Sequence, residues 1–144
     1  GYEEYRAPVI YGKSEVIYEE EDIAILSVGH MFEEAVKVWK SLKEEGYSAS
    51  LVNARFVKPI DEAMIRKMGE KHRLIVTIEE NVATGGYGER VLEYASREGL
   101  KARMLPLALA DGYVEHGSID MLRSANSIDS VSMTKIILDA VKEQ

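Results

Sequence analysis

Two segments of the chain combine charged residues with turn-forming residues in a way that could support chemistry. The first runs from Arg55 to Glu62 (RFVKPIDE), and the second from Thr77 to Asn81 (TIEEN), followed by the glycine turn Gly85 to Gly88 (GGYG). Each segment falls where a predicted βαβ unit turns from strand to helix, the edge at which α/β domains build their sites. The candidate chemistry is therefore anion binding or acid–base catalysis at one edge of a sheet.

The glycine turn offers a candidate phosphate site. The run Gly86-Tyr87-Gly88 gives a G-x-G pattern after a strand, and the free amides of a following helix N-terminus could bind an anion. The third glycine of the dinucleotide fingerprint is missing, because position 91 is Val91. We favour a simpler interpretation, in which Gly85, Gly86 and Gly88 form a tight turn whose backbone packs closely.

The charged residues have both functional and structural interpretations. Arg55 and Lys58 could bind a phosphate together, or Arg55 could pair with an acid such as Asp61 or Glu79 across neighbouring strand ends.

Glu79 and Glu80 could be proposed as an acid–base pair, but neighbouring side chains on a strand point to opposite faces. We expect one of the two to accept amides from a loop or a helix terminus while the other faces solvent or a partner domain. We expect Asn81 to shape the turn.

The histidines His30, His72 and His116 are scattered, and no pair has the i, i+4 spacing that metal ligation on a helix favours. His116 lies in a predicted loop, where functional residues concentrate, but its simplest role is to cap the next helix. The sequence contains no nucleophile elbow, no Walker A loop and no H-E-x-x-H motif. No metal site is predicted.

Apolar periodicity predicts five strands. Two almost continuously apolar runs, Ile23 to Val28 and Leu74 to Ile78, are typical of central parallel strands that helices cover on both faces. Short β-prone runs at Val9 to Tyr11 and Glu15 to Tyr18 predict a hairpin or a bent edge strand. Further strands are expected at Ala49 to Ala54 and Ala102 to Leu107.

Helices are predicted between these strands. One carries apolar residues from Met31 to Leu42 and ends at Gly46, and a second is capped by Asp61 and runs to about Lys71. A third, which carries Val91, Leu92 and Ala95, runs from the glycine turn to Gly99. A short helix is expected after Ser118 and a final one from Ser130. The alternation predicts an α/β three-layer sandwich with a mostly parallel five-stranded sheet and helices on both faces.

Composition narrows the class of protein. At 144 residues with 46% hydrophobic residues, the chain has the size of one domain. A net charge of −7 gives no attraction to phosphate backbones, so we expect no nucleic-acid partner. The absence of cysteine suits a reducing cytoplasm, the expected location. No apolar run reaches the roughly 20 residues that span a bilayer.

The first residues read as a cut inside a longer polypeptide, since the chain opens with GYEEYR and shows no periodicity there. We therefore expect residues 1–7 to be a linker remnant and residues 8–144 to form the domain.

Three runs together resemble a known family. They are Asn53 to Glu62 (NARFVKPIDE), Thr77 to Val82 (TIEENV) with the glycine turn, and Asp111 to Ser118 (DGYVEHGS). Their order and spacing are similar to those in the C-terminal domains of 1-deoxy-D-xylulose-5-phosphate synthases, from about Pro8 to Val141. The K-P-I-D and E-E-N/G-G-x-G segments also occur in the C-terminal domains of transketolases and of 2-oxo acid dehydrogenase β subunits, which remain alternatives.

The resemblance implies a transferase that depends on thiamine diphosphate and Mg²⁺ and serves isoprenoid biosynthesis. Such enzymes condense pyruvate with D-glyceraldehyde 3-phosphate, giving 1-deoxy-D-xylulose 5-phosphate and CO₂, and their first two domains hold the cofactor. This chain lacks the G-D-G…N motif of those domains. No catalytic, cofactor-binding or metal residue is therefore carried over, and the isolated piece is expected to be inactive.

The resemblance instead implies a packing role, with the remaining domains of the enzyme as partners and a homodimer at full length. The matching positions are expected to form a fold signature and a domain-contact edge; they are Arg55, Lys58, Pro59, Asp61, Glu79, Glu80, Asn81, Gly85, Gly86, Gly88 and His116. An alternative of another class is a freestanding anion-binding or interaction module.

Overall fold

A central sheet organises the chain in the computed structural model, which describes residues 9–82, 86–110 and 129–143. Within these ranges the strands are β1 (Glu15–Tyr18), β2 (Asp22–Ser27), β3 (Ala49–Asn53), β4 (His72–Val82) and β5 (Arg103–Ala110). The helices are α1 (Phe32–Glu44), α2 (Glu62–Lys71), α3 (Tyr87–Glu98) and α4 (Ser130–Lys142), and a 3₁₀ turn at Gly29–Met31 precedes α1.

The sheet has the order β1-β3-β2-β4-β5. The neighbours β2/β3, β2/β4 and β4/β5 are parallel; among the described strands only β1 runs antiparallel, with Glu15 opposite Asn53 on β3. The prediction of a mostly parallel five-stranded sheet is confirmed, and the two apolar runs are interior strands. Of the two predictions for the first run, the edge strand is correct: β1 pairs with β3 and not with the residues before it.

Each face of the sheet carries its own apolar layer. Ile23 and Ile25 of β2 point toward α1 and α4, whereas Ala24 and Leu26 point toward α2 and α3, and all four are fully buried. Burying one large aliphatic side chain contributes about 1.5–3 kcal/mol. Two such layers explain the almost continuous apolar pattern and confirm the three-layer architecture.

Helix ends follow the predicted signals closely. Asp61 caps α2, Gly46 follows α1 with a φ of 91°, and Gly99 ends α3 in the left-handed conformation. Helix α4 begins at Ser130 as predicted, with Asp129 as its cap. Of the three apolar residues named for α3, Val91 and Ala95 are buried, whereas Leu92 is 44% exposed. The helix expected after Ser118 lies outside the described residues.

Trp39 joins α1 to the β1 edge of the sheet. Its indole N–H donates to the Ala49 carbonyl at 2.7 Å, and its ring stacks on Tyr18 with centroids 4.2 Å apart and planes 9° apart. The Lys43 ammonium lies 5.7 Å from the ring centroid. This one side chain therefore contacts a helix, an edge strand and the neighbouring strand β3.

Candidate functional site

The candidate site lies at the carboxyl edge of the parallel strands. Two hydrogen bonds hold this edge together: the Val28 amide donates to the Ile78 carbonyl at 3.1 Å, and the Ala54 amide donates to the Ser27 carbonyl at 2.8 Å. The chain turns from β3 into α2 and from β4 into α3 at this same edge. Arg55, Asp61 and Glu79 therefore lie in one region of the molecule, as the two sequence segments predict.

Glu79 binds the start of α3. Its Oε1 accepts from the Tyr87 amide at 3.0 Å and its Oε2 from the Gly88 amide at 2.6 Å, while the side chain is only 8% exposed. The N-cap residue Gly86 has no side chain to satisfy these amides, so Glu79 replaces a local cap. Glu80 is exposed. This confirms that one glutamate accepts helix-terminal amides.

Gly88 is required by close packing. A Cβ at this position would lie 2.8 Å from Thr77 Oγ1, 3.0 Å from Pro106 Cβ and 3.1 Å from Glu79 Oε2. The tight-turn interpretation is thus confirmed for Gly88. An external phosphate at this helix terminus would have to displace a buried carboxylate that already binds the amides, so the structure argues against the anion-binding alternative.

Asp61 has a local and a distant role. Its Oδ1 accepts from the Met64 amide at 3.2 Å, which caps α2. Its Oδ2 accepts from both the amide and the hydroxyl of Ser14, at 2.9 and 2.8 Å. The same carboxylate therefore starts a helix and holds the segment that leads into β1.

Arg55 has a partner that the sequence did not predict. Its guanidinium contacts Glu15 Oε1 at 2.5 Å, and the two side chains are only 13% and 20% exposed. The prediction that Arg55 pairs with an acid is confirmed; the acid is Glu15, because β1 pairs with β3 and places Glu15 next to the end of β3. The backbone of Arg55 has a φ of 65°, a left-handed conformation that costs a non-glycine residue about 1–2 kcal/mol.

Lys58 and Pro59 are exposed and joined by a cis peptide bond. Since Arg55 is held by Glu15 and Lys58 points to solvent, the structure gives no support to a joint phosphate grip. Asn81 belongs to β4, but its side chain, like Gly85 and His116, lies outside the described part of the chain.

Two cavities adjoin this edge. One of about 560 Å³ lies between the lead-in to β1, the start of α2 and α3, and its charges balance: Lys13, Arg90 and Arg97 face Asp61, Glu62 and Glu93. The other, of about 360 Å³, adjoins Glu79 and is lined mainly by apolar groups, which come from Gly86, Gly88, Leu92, Pro106 and Ala108.

Sequence reasoning missed several buried polar groups. Within the described ranges, the side-chain oxygens of Ser27, Thr77 and Tyr87 are buried without a hydrogen-bond partner. Burial, with smaller effects from Asp61 and Glu79, raises the pKa of the Tyr87 hydroxyl well above its usual range. His72 and Ser50 form a buried hydrogen-bonded pair at the opposite edge. No spacing in the sequence signals these contacts, which depend on the assembled sheet.

Two other kinds of feature are absent from the described residues. In those ranges, no three acidic, histidine or cysteine side chains come together as metal ligands. Over the same ranges, no helix is both long enough and apolar enough to cross a membrane.

Comparison with known proteins adds to this geometry. Residues 12–133 match the family described as Transketolase, C-terminal domain. The 1-deoxy-D-xylulose-5-phosphate synthase of Aquifex aeolicus (strain VF5) is 40% identical over 131 residues, which are 91% of this chain and 21% of that protein. The synthase of the same name from Lachnoclostridium phytofermentans is 39% identical over 134 residues, 92% of this chain and 21% of its own length. The chain thus spans about one fifth of these relatives.

A solved structure shares the fold. The protein described as a split gene transketolase, inactive beta4 tetramer, superposes with a TM-score of 0.80 over 94% of this chain and 43% of its own. Its sequence identity of 24% limits this likeness to the fold.

Proposed function

Because the chain belongs to the transketolase C-terminal domain family, we propose that it is the C-terminal domain of a 1-deoxy-D-xylulose-5-phosphate synthase. The observation that carries this proposal is the 40% identity to the Aquifex aeolicus synthase over 91% of the chain. The Arg55 to Pro59 run and the EHGS run at 115–118 support the synthase over a transketolase or a 2-oxo acid dehydrogenase β subunit.

The complete protein condenses pyruvate with D-glyceraldehyde 3-phosphate, releasing CO₂, with thiamine diphosphate and Mg²⁺ held by other domains. The present chain contributes packing between domains and between subunits of a cytoplasmic homodimer. Residues 8–144 form the domain and residues 1–7 belong to the linker that precedes it. The span of about one fifth of the relatives' length supports this division of labour.

The start of α3 does not fit the diphosphate of the cofactor. The α3 N-terminus is the feature most similar to a diphosphate site, and its first amides are bound by the buried Glu79. The adjoining cavity is lined by two carboxylates, Glu79 and Glu89, which would repel a diphosphate. We therefore assign no chemical step to these residues.

We divide the proposed domain-contact edge into two sets. Arg55, Asp61 and Glu79 bind groups within the domain and hold the edge in place. Lys58, Pro59 and Glu80 are exposed and are the residues we propose to face another domain.

Activity of the full-length protein tests the proposal most directly. We expect decarboxylation of pyruvate that depends on both D-glyceraldehyde 3-phosphate and thiamine diphosphate, measured as release of CO₂. Transfer of a two-carbon unit from a ketose donor, with no use of pyruvate, would instead identify a transketolase.

Calorimetry of the 144-residue chain tests the division of labour. Titration with thiamine diphosphate and Mg²⁺ should give no heat of binding at micromolar concentrations, whereas the full-length protein, as the positive control, should bind. Micromolar binding by the short chain would refute the packing role.

A further inference from the structure

His72 is buried at the start of β4 with a fixed partner at each ring nitrogen. Its Nδ1 lies 2.9 Å from the Met68 carbonyl oxygen and its Nε2 lies 2.8 Å from Ser50 Oγ, and the residue is 4% exposed. A carbonyl oxygen can only accept, so Nδ1 carries a hydrogen in every protonation state. The neutral ring must then present Nε2 as an acceptor.

The Ser50 hydroxyl lies near two acceptors but has only one hydrogen to donate. It accepts from the Glu20 amide at 2.7 Å and also lies 3.0 Å from the Glu20 carbonyl oxygen. Its single hydrogen can reach either that carbonyl or the neutral His72 ring, and one acceptor is left over. When His72 is protonated, Nε2 donates to Ser50 and Ser50 donates to Glu20, so every group has a partner.

We propose that His72, Ser50 and the Glu20 backbone form a latch operated by one proton. Proton uptake by the ring frees the Ser50 hydroxyl to bind the Glu20 carbonyl, which fastens the turn between β1 and β2 to β3. Loss of the proton makes the hydroxyl divide its hydrogen between the ring and the turn. The latch lies at the amino edge of the sheet, away from the proposed domain-contact edge, and does not depend on the proposed function.

Burial and the surrounding charges set the pH at which the latch closes. Burial is the main cause that lowers the pKa of His72 below its usual range; Lys71 lowers it further, whereas the Met68 carbonyl, the Glu20 backbone and Glu19 raise it. Three acidic residues around the turn bind basic side chains: Lys67 and Lys71 bind Glu19, Lys43 binds Glu20, and Arg73 binds Asp22. The turn also contains the exposed Glu21.

Nitrogen NMR of His72 in the unmodified 144-residue chain tests the latch without any substitution. At high pH, the ring should be the tautomer that carries its hydrogen on Nδ1. As the pH falls, Nε2 should gain a proton, and the carbonyl carbon of Glu20 should shift with the same midpoint. A neutral ring protonated on Nε2, or a Glu20 carbonyl that ignores the titration of His72, would overturn the proposal.

Two serine variants provide a matched pair. Ser50→Ala removes the acceptor for the protonated ring and should lower the pKa of His72 by roughly 0.5 to 1. Ser48→Ala serves as the control, because the Ser48 hydroxyl accepts from the Glu21 amide at 2.9 Å in the same turn and should leave the titration in place. Equal shifts in the two variants would contradict the latch; if Ser50→Ala does not fold, the measurements on the unmodified chain decide.

Discussion

Helices α2 and α3 begin at the same edge of the sheet, and each receives a carboxylate at its first turn, but from different places. Asp61 immediately precedes α2 and accepts from the Met64 amide. Glu79 belongs to β4, eight residues before Tyr87, and reaches α3 across space. A helix with its own cap has its first turn specified locally. The start of α3 instead depends on strand β4 being in place. Substitutions there should therefore destabilise both the helix and its contact with the sheet.

Loss of the Glu79 carboxylate should have the largest effect. Glu79→Ala leaves two buried amides without an acceptor, and we expect a loss of about 3 kcal/mol in the free energy of unfolding, measured with urea. Glu80→Ala is the matched control, since that side chain is exposed and should change stability by less than about 0.5 kcal/mol. Similar losses in both variants would show that α3 does not depend on the strand.

Glycine-to-alanine changes in the two helices compare their packing. At Gly88, the new Cβ meets Thr77, the ring of Pro106 and the held Glu79 carboxylate, and we expect a loss of about 1–3 kcal/mol. At Gly69 in α2, the nearest atom is the terminal Cδ1 of Leu100 at 2.7 Å, which can rotate away. Gly69→Ala should therefore cost less than Gly88→Ala in thermal unfolding, and the reverse order would contradict the close packing at α3.

The Asp61 cap of α2 should contribute less to stability than Glu79 contributes at the start of α3. Asp61→Ala should lower the free energy of unfolding by about 1–2 kcal/mol. Asp129→Ala is a comparable loss at α4, where the carboxylate accepts from the Ser132 amide at 2.8 Å. If Asp61→Ala loses more stability than Asp129→Ala, and Ser14→Ala loses about the difference, the hydrogen bonds between Asp61 and Ser14 account for it. Equal losses for Asp61→Ala and Asp129→Ala would mean that these hydrogen bonds add no stability.

The far end of α2 should contribute the smallest and most pH-dependent effect. Because burial lowers the pKa of His72, the unfolded chain takes up its proton at higher pH than the folded chain does. Stability relative to His72→Gln should therefore be constant above the ordinary histidine pKa of about 6.5 and should fall as the pH drops below it. A constant difference in the free energy of unfolding between the two proteins from pH 8 to pH 5 would contradict this.

The same contrast between local and distant contacts explains what the sequence could predict. The Asp61 cap and the glycine at the end of α3 follow from spacing along the chain, and both predictions are confirmed. The presence of an apolar layer on each face of the sheet also follows from the almost continuous apolar runs of the central strands. For the candidate site, the sequence predicted that a glutamate would bind helix amides, but could not say which one.

The failures all concern contacts between distant segments. An acidic partner was predicted for Arg55, but Glu15 was not among the examples, because its position depends on β1 pairing with β3. The His72–Ser50 pair joins the starts of β3 and β4, which are held in register through β2, and nothing near either residue signals it.

The fluorescence of Trp39, the single tryptophan of the chain, reports on one face of the sheet. Trp39 packs with the layer of α1 and α4 and stacks on Tyr18, whereas Glu79, Gly88 and the start of α3 lie on the other face of the sheet. Fluorescence should therefore remain constant if α3 alone frays, while circular dichroism records the lost helix. Coincident transitions would show that both faces unfold together, whereas an earlier loss of circular dichroism would show that the face with α2 and α3 unfolds first.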